Sequence, residues 1–377
     1  MELIELGSIL EMVKGKKPIN QISEPKNGYL PYVDIDAFEN GEIKQYTDGT
    51  KCTPCDEGDI LIVCDGSRSG LVGKAVKGYI GSTLAKLSAP DLINEYLYYF
   101  VQGKYALLNT QKKGTGTPHL NPELLKKQKL IVPDKNEQKR IVAQIEELFS
   151  LLDAGIETLL KTKVQFSVYR QAVLKEAFAD CKEHIALEAV TQHITDGDHM
   201  PPPKAEDGVP FIMISNVKDN LIRWENIAHV GRDYYDRLDS KRKPQNGDVL
   251  YTVTGSYGIP ILVDYDKEFC FQRHIALLRP KGTIEQKYLY YSLMAPETYA
   301  QATKGATGTA QKTVGLGVLR KIKIPFNSDR SEQMRIVEEI ESRLSVCDSI
   351  KQTVDASLQQ AEAMRQSILK DAFEGRL

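Results

Sequence analysis

The chain has 377 residues, more than one hydrophobic core usually organises, so two or more domains are expected. Its 41% hydrophobic content excludes a disordered chain, no uncharged run is long enough for a membrane-spanning helix, and the opening Met1-Glu2-Leu3-Ile4-Glu5-Leu6 lacks a secretory pattern, which together predict a cytoplasmic protein. With 49 Lys+Arg against 51 Asp+Glu and a net charge of −2, bulk positive charge that would coat nucleic acid is excluded, whereas a local basic face is not.

Residues 1–135 read as short strands cut by Gly, Pro, Asn and Asp turns, with a helix about Tyr96-Leu97-Tyr98-Tyr99 and a closing strand Leu130-Ile131-Val132-Pro133. Residues 136–180 read as one long helix, its apolar stripe running through Ile141, Ile145, Leu148, Leu152, Leu159, Phe166, Tyr169 and Val173. Residues 181–327 echo the first segment: Gly58-Asp59-Ile60-Leu61 returns as Gly247-Asp248-Val249-Leu250, Gly66-Ser67 as Gly255-Ser256, and the tyrosine helix as Tyr288-Leu289-Tyr290-Tyr291. Residues 328–377 repeat the helix more sharply. Glu137-Gln138-Lys139-Arg140-Ile141-Val142 matches Glu332-Gln333-Met334-Arg335-Ile336-Val337 (332 − 137 = 195), and Leu174-Lys175-Glu176-Ala177-Phe178 matches Leu369-Lys370-Asp371-Ala372-Phe373 (369 − 174 = 195). From Glu137 to Phe178 and from Glu332 to Phe373 the two copies align without a gap at about 40% identity. Its stripe is Ile336, Ile340, Cys347, Ile350, Val354, Ala361, Met364 and Ile368. The expected fold class is α+β: two α/β globules separated by two long antiparallel coiled-coil helices in a pseudo-two-fold repeat.

Catalytic signatures are missing. Gly73-Lys74 lacks the leading glycine and the Ser/Thr of a phosphate loop, no Gly-x-Gly-x-x-Gly follows a strand, and Asn121-Pro122-Glu123 breaks the adenine-methylating pattern. No serine sits on a strand-to-helix elbow. Cys52 and Cys55 leave open a metal knuckle or redox pair, and His193, Asp196, Asp198 and His199 a mixed metal site; ordinary turns and a proline-stiffened polar loop are the plainer readings.

Binding chemistry is present twice. Lys112 and Lys113 flank a loop with Thr115, Thr117 and His119, and Lys304 and Lys312 flank one with Thr307, Thr309 and Gln311. Earlier loops add Ser67, Arg68 and Lys74 in one half and Ser256, Tyr257, Arg273 and His274 in the other. Glycines let a backbone approach phosphate, and Arg, His, Thr and Gln carry donors and acceptors for base edges. Arg68 is the expected base reader and Lys113 a phosphate anchor.

The repeated helix openings and Leu-Lys-x-Ala-Phe endings, the Gly-Asp-Ile/Val-Leu strands and the terminal Ala372-Phe373-Glu374-Gly375-Arg376-Leu377 resemble the DNA-specificity (HsdS) subunit of type I restriction–modification systems, and His199 in Asp196-Gly197-Asp198-His199 resembles a loop of that family. The resemblance implies a non-catalytic chain with target-recognition domains at 1–135 and 181–327 and spacer helices at 136–180 and 328–377. Double-stranded DNA and two methyltransferase subunits would be its partners, with or without two restriction subunits. It implies no cofactor on this chain; S-adenosylmethionine, ATP and Mg would sit on the partners. A protein-binding assembly scaffold with solvated lysines is the alternative.

Overall fold

The computed structural model describes residues 3–112, 118–198 and 202–377. They form two compact units, Met1–Leu159 with Ala356–Leu377 (unit 1) and Leu160–Asp355 (unit 2). Unit 1 runs β1 (Leu3–Glu5), β2 (Glu11–Lys14), β3 (Leu30–Val33), α1 (Ile35–Asn40), β4 (Tyr46–Thr47), β5 (Pro54–Cys55), β6 (Ile60–Val63), β7 (Val72–Lys74), β8 (Gly78–Ile80), β9 (Leu84–Ser88), α2 (Asn94–Gln102), α3 (Tyr105–Thr110), α4 (Pro122–Lys126) and β10 (Lys129–Ile131). The long helix α5 (Lys135–Ala177) follows.

Unit 2 continues with β11 (Glu183–Ala186), α6 (Leu187–Val190), β12 (Thr191–Asp196), β13 (Lys204–Ala205), β14 (Val209–Ile212), β15 (Val217–Lys218), β16 (Leu221–Ile222), β17 (Ala228–Val230), α7 (Arg232–Arg237), β18 (Val249–Thr252), β19 (Pro260–Leu262), β20 (Cys270–Phe271), β21 (Ile275–Pro280), α8 (Gln286–Met294), α9 (Pro296–Gly305), α10 (Leu316–Lys321) and β22 (Lys323–Phe326). The second long helix is α11 (Arg330–Phe373).

The sheets repeat. Antiparallel β2-β9-β6-β7 in unit 1 corresponds to β12-β21-β18-β19 in unit 2, and β1-β10 to β11-β22. Each unit also has a mixed sheet around one parallel pair, β3 with β8 and β14 with β20. Side chains alternate across a strand, so a central strand feeds two cores. Ile60 and Ile62 face the cluster that holds α2, while Leu61 and Val63 face a second. Val249 and Tyr251, against Leu250, divide the same way in unit 2.

The repeated helix opening has a clear structural use. Asp134 caps α5, its side chain accepting from the backbone N–H of Asn136 (2.9 Å) and Glu137 (3.1 Å), and Asp329 accepts from Ser331 N–H (2.9 Å). Gln138 is wholly buried: its amide nitrogen donates to the carbonyls of Asp91 and Pro133 (both 2.9 Å), and its oxygen accepts from Ile93 N–H (2.8 Å) just before α2. Gln333 does the same with the Thr283 and Asn327 carbonyls (3.1 and 2.7 Å) and Glu285 N–H (2.7 Å) just before α8. Each glutamine therefore bolts the start of a long helix to the tyrosine helix of its own unit.

The helix endings complete the sockets. In unit 1 the core takes Ile141, Val142 and Ile145 from α5 with Leu369 and Ala372 from α11, and Phe373 lies edge-on to Tyr96 and Phe100 (5.0 and 5.2 Å). In unit 2 the core takes Ile336, Val337 and Ile340 from α11 with Val173 and Leu174 from α5, and Phe178 lies edge-on to Tyr288 (5.4 Å). Within unit 2, Lys163, Arg170 and Glu176 of α5 meet Asp355, Asp348 and Arg343 of α11 (2.7, 2.5 and 2.7 Å). One set of numbers rises as the other falls, so the segments are antiparallel. The units thus cut across the limits at 135, 180 and 327, because the rods are built into the cores.

The stripe differs from expectation at Tyr169, Ile350 and Met364, which are exposed. Cys347, Val354 and Ala361, one residue per heptad, are buried. A paired stretch of helix with no third element to cover its flanks buries a narrow seam. Tyr169 instead carries the Arg343 guanidinium over its ring at 5.9 Å.

Candidate nucleic-acid interface

In unit 1 the connection from β6 to β7 turns through Gly66 (φ +108°) and Gly70 (φ +95°), backbone that glycine adopts readily. Buried Ser69 ties it inward, its hydroxyl donating to the Gly66 carbonyl (2.7 Å). A second segment is laced onto it: Gly66 N–H donates to the Pro118 carbonyl (2.8 Å) and Leu120 N–H to the Cys64 carbonyl (2.7 Å), leaving Asp65 opposite His119. The Asp65 carboxylate bonds His119 Nδ1 (2.7 Å) and Lys14 Nζ (3.0 Å). Burial alone would raise this carboxyl, but the bonds from His119 and Lys14 outweigh it and hold Asp65 below its ordinary value.

Of the residues singled out in this half, Ser67, Arg68, Lys112 and His119 meet here. Lys112 Nζ donates to the Ser67 carbonyl (2.8 Å), and the exposed Arg68 pairs with Glu39 of α1. Lys74 is elsewhere: the hairpin carries it to the far end of β6, opposite Ile60, with its ammonium 5.7 Å from the Tyr98 ring. Lys113, Thr115, Thr117 and His199 lie outside the described residues.

Unit 2 repeats the lacing. The β18–β19 connection turns at Gly255 (φ +73°) and Gly258 (φ +91°). Gly255 N–H donates to the Lys312 carbonyl (2.9 Å) and Val314 N–H to the Val253 carbonyl (2.8 Å), which sets Thr254 opposite Thr313, hydroxyl to hydroxyl at 3.3 Å. Thr307 joins through paired backbone bonds with Thr313 (2.9 and 2.7 Å). Arg273, His274 and Gln311 line a hollow of about 340 Å³ with Asp196, Thr254 and Thr313. A second hollow, about 320 Å³, shares Arg273 and His274 and is walled by Phe211, Met213 and Val230. Burial, and then the Arg273 charge, push His274 below its ordinary value, so near neutral pH it offers an uncharged ring. Ser256, Lys304, Thr309 and Lys312 are exposed. Tyr257 turns aside, stacked on Tyr299 (5.9 Å) with its hydroxyl on Thr303 (3.3 Å).

Four residues escaped the sequence reading: Lys14, Asp65, Thr254 and Thr313. The signal for Lys14 lies in strand register, since Lys14 pairs with Ala85 as Asp196 pairs with Ala276, and Gly15 and Gly197 follow at places where a Cβ would strike a neighbouring carbonyl. Among the described residues no group of three His, Cys, Asp or Glu could hold a metal. Asp196 and Asp198 instead face the Arg242 guanidinium (3.9 and 3.7 Å). Burial pushes the Cys55 thiol up to about 11, which disfavours a redox thiolate. No helix among the described residues is long and apolar enough to cross a membrane.

A family model described as the type I restriction modification DNA specificity domain matches the chain twice, over residues 1–162 and 199–360. The chain belongs to this DNA specificity family. Its role is therefore sequence-specific DNA recognition, in a class of subunit that is generally non-catalytic and works with DNA and other restriction–modification subunits. This specificity chain is 27% identical over 401 residues to the type I restriction enzyme MjaVIII specificity subunit of Methanocaldococcus jannaschii, covering 100% of this chain and 92% of the relative. To the EcoBI specificity subunit of Escherichia coli it is 22% identical, covering 85% and 73%. In fold it is similar to a chain solved under the description "Structural basis underlying complex assembly and conformational transition of the type I R-M system", with TM-score 0.73, 20% identity and coverage of 100% and 98%. The HsdS subunit from Thermoanaerobacter tengcongensis matches with TM-score 0.51 and 20% identity, covering 100% and 97%.

Proposed function

We propose that the chain reads one bipartite, asymmetric duplex sequence, with unit 1 taking one half-site and unit 2 the other. In this reading the 43- and 44-residue helices set the length of the unread gap, and two methyltransferase subunits assemble on the chain in the cytoplasm. Two restriction subunits join where cleavage is needed. Methyl transfer with S-adenosylmethionine, and translocation with ATP and Mg, belong to those partners, and this chain contributes no catalytic group or cofactor.

The observation that supports the reading is the loop pair laced the same way in both units but carrying different side chains. Lys112, Lys304 and Lys312 suit phosphate anchoring; Arg273, His274 and Gln311 suit base edges. The test is competition binding by the chain with its methyltransferase partner, on the duplex whose methylation the host methylome reveals. Scrambling either half-site is expected to weaken binding by about 10³ at physiological salt. Affinity indifferent to both scrambles would instead support a protein-binding scaffold.

A further inference from the structure

The lacing bonds define residue equivalence between the units more firmly than alignment of the loops can. Cys64 corresponds to Val253 and Leu120 to Val314, because Leu120 N–H reaches the Cys64 carbonyl as Val314 N–H reaches that of Val253. These four are buried. Between them stand Asp65 opposite His119 in unit 1 and Thr254 opposite Thr313 in unit 2, one bridge in each case. The frame keeps apolar residues at its buried positions, while the pair between them changes from a half-buried acid and an exposed imidazole to a buried and a half-buried hydroxyl.

The chemistry in unit 1 is directional. Asp65 Oδ1 lies 2.7 Å from His119 Nδ1, and its other oxygen is held by Lys14 at 3.0 Å. In the neutral ring Nδ1–H donates to Asp65, which fixes the tautomer and leaves Nε2 as an acceptor. The His119 side chain is 53% exposed, and among the described residues Nε2 has no partner. An acceptor held at a major-groove edge suits the amino donor of adenine or cytosine. In unit 2, Thr254 and Thr313 share a hydroxyl contact in the wall of the hollow that Arg273 and Gln311 also line. Hydroxyls both donate and accept, so that pair has no such bias.

We infer that Asp65 with His119, and Thr254 with Thr313, are equivalent specificity-determining pairs, His119 Nε2 reading an amino-bearing base in one half-site with Asp65 as its positioning residue. The inference rests on the function proposed above and names where that recognition differs between the two units.

The test is selection from a randomised duplex library by the chain assembled with its methyltransferase partner. The wild-type assembly should yield one bipartite consensus. A pool without one removes the proposed function, and this inference with it. His119→Ala should lower selectivity about tenfold at one or two positions of a single half-site, leaving the other half-site as sharp as before. The exchange Asp65→Thr with His119→Thr should do the same, and Thr254→Asp with Thr313→His should alter the opposite half-site. Asp65→Asn, which keeps an acceptor for Nδ1–H, should retain the wild-type base with reduced selectivity. A wild-type consensus from His119→Ala overturns the inference. So does an equal loss at every position of both half-sites, shared by the conservative His119→Gln.

Discussion

The helix sockets and the laced loops are both duplicated, yet they diverge in opposite ways. In the sockets, side chains and contacts recur together: Gln138 and Gln333 make the same three hydrogen bonds, and Phe373 and Phe178 meet Tyr96 and Tyr288 edge-on at 5.0 and 5.4 Å. In the loops only the backbone recurs. Lys14, Asp65 and His119 of unit 1 stand where unit 2 has Asp196, Thr254 and Thr313. A socket must hold a helix end in one position, and few side chains fill one cavity with the same bonds. A reading surface has the opposite requirement: a constant platform beneath exchangeable donors and acceptors. Mechanical and recognition roles are therefore separable residue by residue.

The largest effects should come from emptying the sockets. Phe178→Ala and Phe373→Ala each remove a buried aromatic, at a cost of about 3–5 kcal/mol. Hydrogen exchange should show faster opening of α8 for the first and of α2 for the second, with the other unit's tyrosine helix unchanged. Equal loosening of both helices by either variant would break the picture of two independent sockets. The glutamines come next. Gln138→Ala strands Ile93 N–H and the carbonyls of Asp91 and Pro133, and Gln333→Ala strands their counterparts, for about 1–3 kcal/mol each. Urea unfolding should give similar losses for the two, and a loss confined to one would show that the repeated motif serves only one helix.

The long helices and the two-fold plan were readable because their evidence is periodic and their offset constant. The sockets were half visible: the repeated Gln stood out as a letter, but its partners Asp91 and Thr283 lie in loops with no signature. The loops were least legible. Their offsets drift, from 254 − 65 = 189 to 313 − 119 = 194, and the equivalent side chains differ in charge and size. Proximity in sequence also misled. Lys74 is near Arg68 in the chain, yet a hairpin separates its two ends, and the partner that engages Arg68 comes from α1.

The smallest effect concerns the pairs that link the helices between sockets. Arg170 meets Asp348 in unit 2, and Arg365 meets Asp153 in unit 1, each arginine and aspartate recurring at the same offset of 195 (365 − 170 and 348 − 153). The aspartates are more than half exposed, so solvent screens both bridges and each should contribute about 1 kcal/mol or less. Their value is alignment: opposite charges favour one register of two apolar seams that would tolerate sliding. Arg170→Asp should therefore lower the melting temperature only slightly, and adding Asp348→Arg should restore it by rebuilding the pair with its charges exchanged. The double variant as destabilised as the single one would show that the arginine acts through packing of its aliphatic stem, as Arg365 could over the Phe149 ring at 4.9 Å, and not through its charge.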